Sequence, residues 1–227
     1  MVWISLDSPT VNDKPGHYLP FAWPDGQFYP LPEVSARSDV GLLYLLERRR
    51  TKRSFEVLSD TELSELLWRC AHTQAIADSE YGFELERRPT LSAGAMHPIH
   101  ILADHHGTGN WQRYDSRRHG LHDIPGSASL FKELQQQCDK TLTVGAGTRL
   151  LLVAEPGKTL AKYQQGESLI WRDAGVLLAM MALVAEVLGC AFCPLGVTGE
   201  PWASQLAPPG VLTGVGVALI GGAGKPH

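Results

Sequence analysis

The run Arg48-Arg49-Arg50-Thr51-Lys52-Arg53 puts five cations and a hydroxyl into six residues. Such a cluster suits an anion. Arginine's planar fork matches a phosphate through paired, charge-assisted hydrogen bonds; a solvated charge run is the plainer reading. Lys162-Tyr163 is a second candidate, because an amine and a phenol in one pocket can accept and donate a proton. Ser92-Ala93-Gly94-Ala95 is made of small residues that let backbone approach a flat ring or a phosphate closely. There is no Walker lysine and no G-x-G-x-x-G after a strand, which argues against the common nucleotide-binding loops. Cys190-x-x-Cys193 has redox spacing but reads as small buried side chains around a turn, and zinc would need two further ligands that are not nearby. His105-His106 and His119-x-x-His122 lie in polar sequence without a matching acid motif and read as surface residues, not as a metal set.

The elements that must position these groups centre on the stretch from Trp171 to Val197. Residues 176–188 are apolar on every face except at Glu186, which predicts a helix in the core or in a subunit interface. That run falls short of the roughly 18–20 residues of a membrane span. Gly189 suits the C-cap. Pro194 forbids further helix and predicts a rigid turn ending at Gly196, able to hold backbone N–H groups still near a ligand. Upstream, Asp39 can cap a helix carrying Val40, Leu42, Leu43, Leu45 and Leu46, which runs into the basic cluster. Ser59 and Glu62 have capping-box spacing, and Leu63, Leu66, Leu67 and Cys70 form one helical face. Residues 87–95 read as loop, 99–103 and 111–114 as strands joined by a turn, 130–138 as a short helix, 150–154 as a buried strand and 211–220 as a last strand. Gly214 and Gly216 would permit close backbone approach there.

A chain of 227 residues with 44% hydrophobic residues is expected to form one large domain, residues 38–227, behind an arm of residues 1–37 rich in proline and aromatic residues. The arm is too aromatic for a floppy linker and is expected to pack on the body or on a partner subunit. Helices and strands intersperse without strict βαβ alternation, so the class is α+β. A net charge of −4 gives no electrostatic case for nucleic acid. Four cysteines do not make a disulfide framework, and the first ten residues show no basic start and no apolar core of a signal peptide. A reducing cytoplasm is the expected compartment.

In combination these segments resemble the flavin-dependent nitroreductase superfamily. Within it they are most similar to the SagB/ThcOx-type dehydrogenases, which oxidise azolines to azoles on peptides. Arg49-Arg50-Thr51-Lys52-Arg53-Ser54-Phe55 resembles the family's Arg-Arg-Ser-x-Arg-x-Phe, and Pro89 to Pro98 resembles the branch's Pro-Ser-Ala-Gly-Ala-x-(Tyr/His)-Pro. Lys162-Tyr163 followed by Asp173-Ala174-Gly175, and Leu188-Gly189 followed by Cys193-Pro194-Leu195-Gly196, resemble two more of its motifs, in the same order. The resemblance covers roughly residues 40–220.

The resemblance implies an α+β sandwich around a mostly antiparallel sheet, in an intertwined homodimer whose apolar helix lies in the interface. Two FMN molecules would lie between subunits. Arg49, Arg50, Thr51 and Arg53 would hold phosphate and ribityl chain. Ser92, Gly94 and Ala95 would pass along the flavin, and Pro194, Leu195 and Gly196 would present backbone N–H groups to its N5 edge. The family's basic residue after the last strand has its counterpart in Lys225, or else the phosphate rests on the arginines alone. Lys162 and Tyr163 would handle the proton removed from an azoline or similar ring on a peptide or carrier-bound substrate. A free lysine has a pKa of about 10.4, so Lys162 needs burial or a cationic neighbour to act as a base. Other biosynthetic enzymes are possible partners. The competing readings are an NAD(P)H-dependent nitroreductase of small aromatics and a non-enzymatic flavin-fold subunit of a modification complex.

Overall fold

The computed structural model describes residues 6–35, 40–142 and 145–223. In chain order the elements are β1 (Thr10–Val11), β2 (Phe28–Pro30), α1 (Leu42–Arg48), β3 (Phe55–Glu56), α2 (Asp60–Ala71), β4 (Ala75–Ala77), β5 (Leu85–Arg87), β6 (Ile99–Asp104), β7 (Gln112–Asp115) and β8 (Gly120–Asp123). They continue with α3 (Ser127–Leu130), α4 (Lys132–Thr141), β9 (Thr148–Ala154), α5 (Pro156–Leu160), β10 (Tyr163–Gln164), α6 (Glu167–Leu188), β11 (Ala191–Leu195) and β12 (Thr213–Ala223). The main sheet has eight strands, ordered β11-β12-β9-β6-β7-β8-β2, with β3 added on the end of β12. Every pairing in it is antiparallel. The class is the expected α+β.

Strand β9 shows how the layers form. All of its residues are buried, so the apolar run is continuous because both faces of the sheet are covered. Leu150, Leu152 and Ala154 point into the cluster made with α2 and α6, while Leu151 and Val153 point into the cluster of Trp111, Phe131, Leu134 and Cys138 on the other face. The period of two sends alternate side chains to opposite layers. Helix α2 starts on the expected capping box: the Glu62 amide donates to Ser59 Oγ at 3.2 Å, and the Ser59 amide donates to the Glu62 carboxylate at 2.8 Å. Its Leu63, Leu66, Leu67 and Cys70 are fully buried. Gly214 lies at an irregularity of the β12–β9 ladder, where an added Cβ would fall 2.6 Å from the Thr198 carbonyl.

The N-terminal segment packs on the body. Phe21 and Trp23 pack against the second core cluster, and the Tyr18 hydroxyl and the Phe21 amide both donate to the buried Glu155. Strand β2 from this segment forms one edge of the main sheet.

Several expectations need correction. Pro194 is not in a turn: it lies within β11, the strand at the other edge of the sheet, where a missing N–H is tolerated. Gly189 does cap α6 in the left-handed conformation, with φ 73°. Helix α6 begins at Glu167 and has 22 residues, which makes it long and apolar enough to cross a membrane by length and composition. One face of it packs in the core, with Ile170, Ala174, Leu177 and Met181 in the main cluster and a buried, hydrogen-bonded carboxylate at Asp173. The expected loop at 87–95 starts at the end of β5 and closes in a tight turn over Ala93–Ala95. His105 and His119 are buried, not superficial. His119 bridges the hydroxyls of Ser64 and Tyr114 through its two ring nitrogens, at 2.8 and 2.9 Å. Asp39 and Lys225 lie outside the described residues, and the N-cap of α1 is Gly41.

Candidate active site

Ser92, Gly94 and Ala95 lie in the tight turn, and Asp173 of α6 holds it. The Ser92 hydroxyl donates to Asp173 Oδ2 at 2.6 Å and the Ala93 amide donates to Oδ1 at 3.1 Å. Ser92 Oγ in turn accepts from the His97 amide at 2.9 Å. Gly94, Ala95 and His97 all take positive φ, at 61°, 59° and 41°. Left-handed backbone costs about 1–2 kcal/mol at a residue with a side chain, and surrounding contacts must offset it. Burial pushes the Asp173 carboxyl up from its usual pKa, against the donors from Ser92 and Ala93.

Lys162 and Tyr163 converge on this turn. A Cβ built on Gly94 would lie 2.7 Å from the Tyr163 hydroxyl and 2.9 Å from Lys162 Nζ. Lys162 leaves α5, and Tyr163 is fixed by the pairing of β10 with β1, Val11 opposite Tyr163. Tyr81 joins them: Lys162 Nζ is 5.8 Å from the centre of its ring and 5.7 Å from that of Tyr163, within cation–π reach. Lys158, one helical turn earlier, donates to the His97 carbonyl at 3.3 Å. Burial, with Arg88 nearby, brings its pKa down to about 8. Beside the turn, a mostly apolar hollow of about 390 Å³ is lined by Ile76, Leu85, Leu91, Ser92, Ala95 and His97.

The basic cluster follows α1 and lies against a different part of α6. Arg49, Arg50 and Thr51 line a hollow of about 350 Å³ with Leu178, Ala182 and Pro194. The segment runs beside the sheet edge, with the Lys52 amide donating to the Phe192 carbonyl at 3.3 Å. Lys52 pairs with Glu186 at 3.3 Å. Arg50 spends one nitrogen on the carbonyls of Glu47 and Arg49, both at 2.9 Å, and Arg53 approaches the Cys193 thiol. Among the described residues Arg49, Arg50 and Arg53 have no carboxylate partner. Leu195 is half-buried; Gly196 is exposed, with nothing within 4 Å of a Cβ placed on it. Asp173 and Glu186 are thirteen residues apart on α6, about 20 Å along its axis. The structure therefore makes two groups, the turn with Lys162–Tyr163 and the arginines with Pro194, and a single chain does not join them.

This architecture matches solved structures. The fold is that of the nitroreductases. A nitroreductase-like protein from Ralstonia eutropha superposes with a TM-score of 0.66 at 22% identity, over 94% of this chain and 99% of its own. A chain of the E. coli microcin synthetase McbBCD complex with truncated pro-MccB17 bound gives 0.58 at 18% identity, over 86% of this chain and 77% of its own. A nitroreductase-like protein from Desulfovibrio desulfuricans, crystallised in complex with FMN, gives 0.50 at 15% identity, over 84% of this chain and 93% of its own. No family model matches the sequence, and no curated protein matches it significantly.

The part of Asp173 was not assigned from sequence, although its Asp-Ala-Gly context was visible there. Tyr81 carried no local signal, because it joins the site from a segment remote in sequence, and Lys158, one turn before Lys162, is marked only by its contact with the distant His97 carbonyl.

Proposed function

We propose that this chain is an FMN-dependent oxidoreductase, acting as a homodimer, that dehydrogenates an azoline or similar ring on a peptide or carrier-bound substrate. The observation that carries the reading is the convergence of Lys162 and Tyr163 on Gly94. A proton acceptor and a proton donor meet there over a backbone turn that no side chain fills.

The residues present fit FMN. Arg49, Arg50 and Arg53, which have no carboxylate partner among the described residues, suit its phosphate, the Ser92–Ala95 turn suits the flat approach of a ring, and Gly196 leaves its surroundings open. When bound, FMN supplies the hydride acceptor. The chain's own residues do the rest. Lys162 Nζ, half-buried over the turn, would take the carbon-bound proton of the substrate ring and the Tyr163 hydroxyl would relay it. Asp173 keeps the turn in the conformation that sets both side chains beside it.

The homodimer reading rests on an uncovered apolar face. Trp171, Gly175, Val176 and Ala179 of α6 are exposed in the single chain, as are Leu42, Leu43 and Leu46 of α1. Gly175 and Ala179 are small enough for close helix approach. Two α6 helices paired antiparallel about a two-fold axis would lay the arginines of each copy near the turn of the other, joining the two halves of the site. The peptide-substrate reading draws support from the likeness to the microcin synthetase chain.

The test is anaerobic single-turnover reduction of the purified protein, followed at the flavin absorbance. Lys162→Ala and Tyr163→Phe should keep FMN and slow reduction by an azoline peptide by about 10²–10⁴-fold, as loss of a general base does. Parent-like rates in both would return the reading to an NAD(P)H-dependent reductase of small aromatics. Colourless protein that does not reconstitute with FMN would point to a non-enzymatic subunit.

A further inference from the structure

Asp60 opens α2, and His105 and His106 come directly after β6. His105 Nε2 lies 2.9 Å from Asp60 Oδ1, and His106 Nε2 lies 3.9 Å from the same oxygen. One ligand atom from each of the three falls within 4.8 Å of the others.

The hydrogen bonds around His105 decide what this contact means. Its Nδ1 is 3.0 Å from Thr148 Oγ1, and the same hydroxyl is 3.1 Å from the His105 carbonyl. A carbonyl only accepts, so with the hydroxyl proton directed at the carbonyl Thr148 Oγ1 accepts from Nδ1–H. In the neutral ring that tautomer leaves a lone pair on Nε2. The lone pair faces a carboxylate oxygen, which also only accepts. In that arrangement a cation, a proton or a metal ion, holds the two acceptors together. A proton would need the pair alone; the third donor, His106 Nε2, makes a metal-binding set.

We infer that Asp60, His105 and His106 bind a divalent first-row transition metal ion of the zinc class, at the mouth of a hollow lined by Thr108, Asn110 and Trp111. Two imidazoles and a carboxylate are a borderline nitrogen–oxygen donor set suited to zinc and its neighbours. Metal bonds of 2.0–2.1 Å in tetrahedral geometry place donors about 3.3–3.5 Å apart, so the observed spacings need small side-chain adjustments. Thr148 supplies the outer hydrogen bond that orients a ligating histidine. The hollow, about 550 Å³, leaves the remaining coordination positions open to water or a small ligand. The positive end of α2 opposes a cation there, so affinity rests on the imidazoles and the carboxylate. The inference is independent of the flavin reading.

The test uses full-length protein stripped with EDTA, titrated with zinc by calorimetry and with cobalt by visible absorption. One equivalent should bind with micromolar or tighter affinity, and cobalt should give the d–d bands of a nitrogen–oxygen site. A hundredfold excess of zinc over Kd should raise Tm by about 5–10 °C. His106→Ala should weaken binding at least tenfold with the apo-protein Tm unchanged, because this side chain is 65% exposed. Asp60→Asn should weaken it likewise, and His122→Ala should not. Absence of saturable binding, or parent-like affinity in His106→Ala, would overturn the proposal.

Discussion

The Ser92 hydroxyl donates to the Asp173 carboxylate at 2.6 Å, and this bond fastens the turn that carries Gly94 to the first half of α6. The same carboxylate takes the Ala93 amide. Asp173→Ala would leave both donors without their acceptor inside the protein. Hydrogen bonds to charged groups contribute about 1.5–3 kcal/mol, and the variant should lose about that much unfolding free energy in denaturant titration. Asp173→Asn should lose less, because its amide oxygen can still accept.

Gly94→Ala tests the convergence on the turn directly. The backbone there has φ 61°, and the new methyl would fall 2.7 Å from the Tyr163 hydroxyl and 2.9 Å from Lys162 Nζ. Both contacts are to flexible side-chain ends, so the fold should survive with about 1–2 kcal/mol lost to the left-handed conformation. The pair must move aside. Reduction per bound flavin should slow by about a hundredfold, the scale of an ångström's misplacement. Parent-like turnover would remove Lys162 and Tyr163 from the chemistry.

Replacing Arg49 and Arg53 with Ala should weaken FMN binding. Each charge-assisted phosphate bond is worth about 1.5–3 kcal/mol, roughly tenfold to a hundredfold in Kd per residue. Fluorescence titration of the stripped protein with FMN measures this. Unchanged affinity in the double variant would place the phosphate elsewhere.

The exposed face of α6 should be covered in solution. An obligate dimer built on it should bury more than about 2,000 Å² in total. Light scattering at micromolar concentration should give the mass of two chains. Ala179→Glu, on that face, should shift the protein toward monomer and lower flavin occupancy, because the site would lose its second half. A parent protein that runs as a monomer rejects the arrangement.

Acid should weaken the β5 region through Glu86. Burial pushes its carboxyl up, but Arg88, Thr73 and Arg117 together outweigh that and hold the pKa at about 2. The folded value lies below the ordinary 4.5, so the stabilisation is complete above pH 4.5 and is lost as pH falls toward 2. Glu86→Gln should flatten the dependence of Tm on pH across that window, measured by circular dichroism. An unchanged slope would show that the ion pairs of Glu86 contribute nothing to it.

Local signals were enough for much of the fold. The Ser59–Glu62 capping box, the Leu63-Leu66-Leu67-Cys70 face, the left-handed cap at Gly189 and the continuous apolar run of β9 each depend on spacing over a turn or two of chain, and each was legible in the sequence. The resemblance to the nitroreductases also pointed to the fold. Tertiary structure alone decided which segments meet. Nothing local to Pro194 says that it will lie in a strand; the place of β11 at the edge of the sheet permits it. His119 looks like loop sequence, yet it is buried because Ser64 and Tyr114 satisfy both ring nitrogens. Gly94 meets Lys162 and Tyr163, and Asp60 meets His105, because packing α2 and α6 on one sheet brings remote turns together. Periodicity and capping report on the bonds a segment makes with itself, whereas a site is made of bonds between segments.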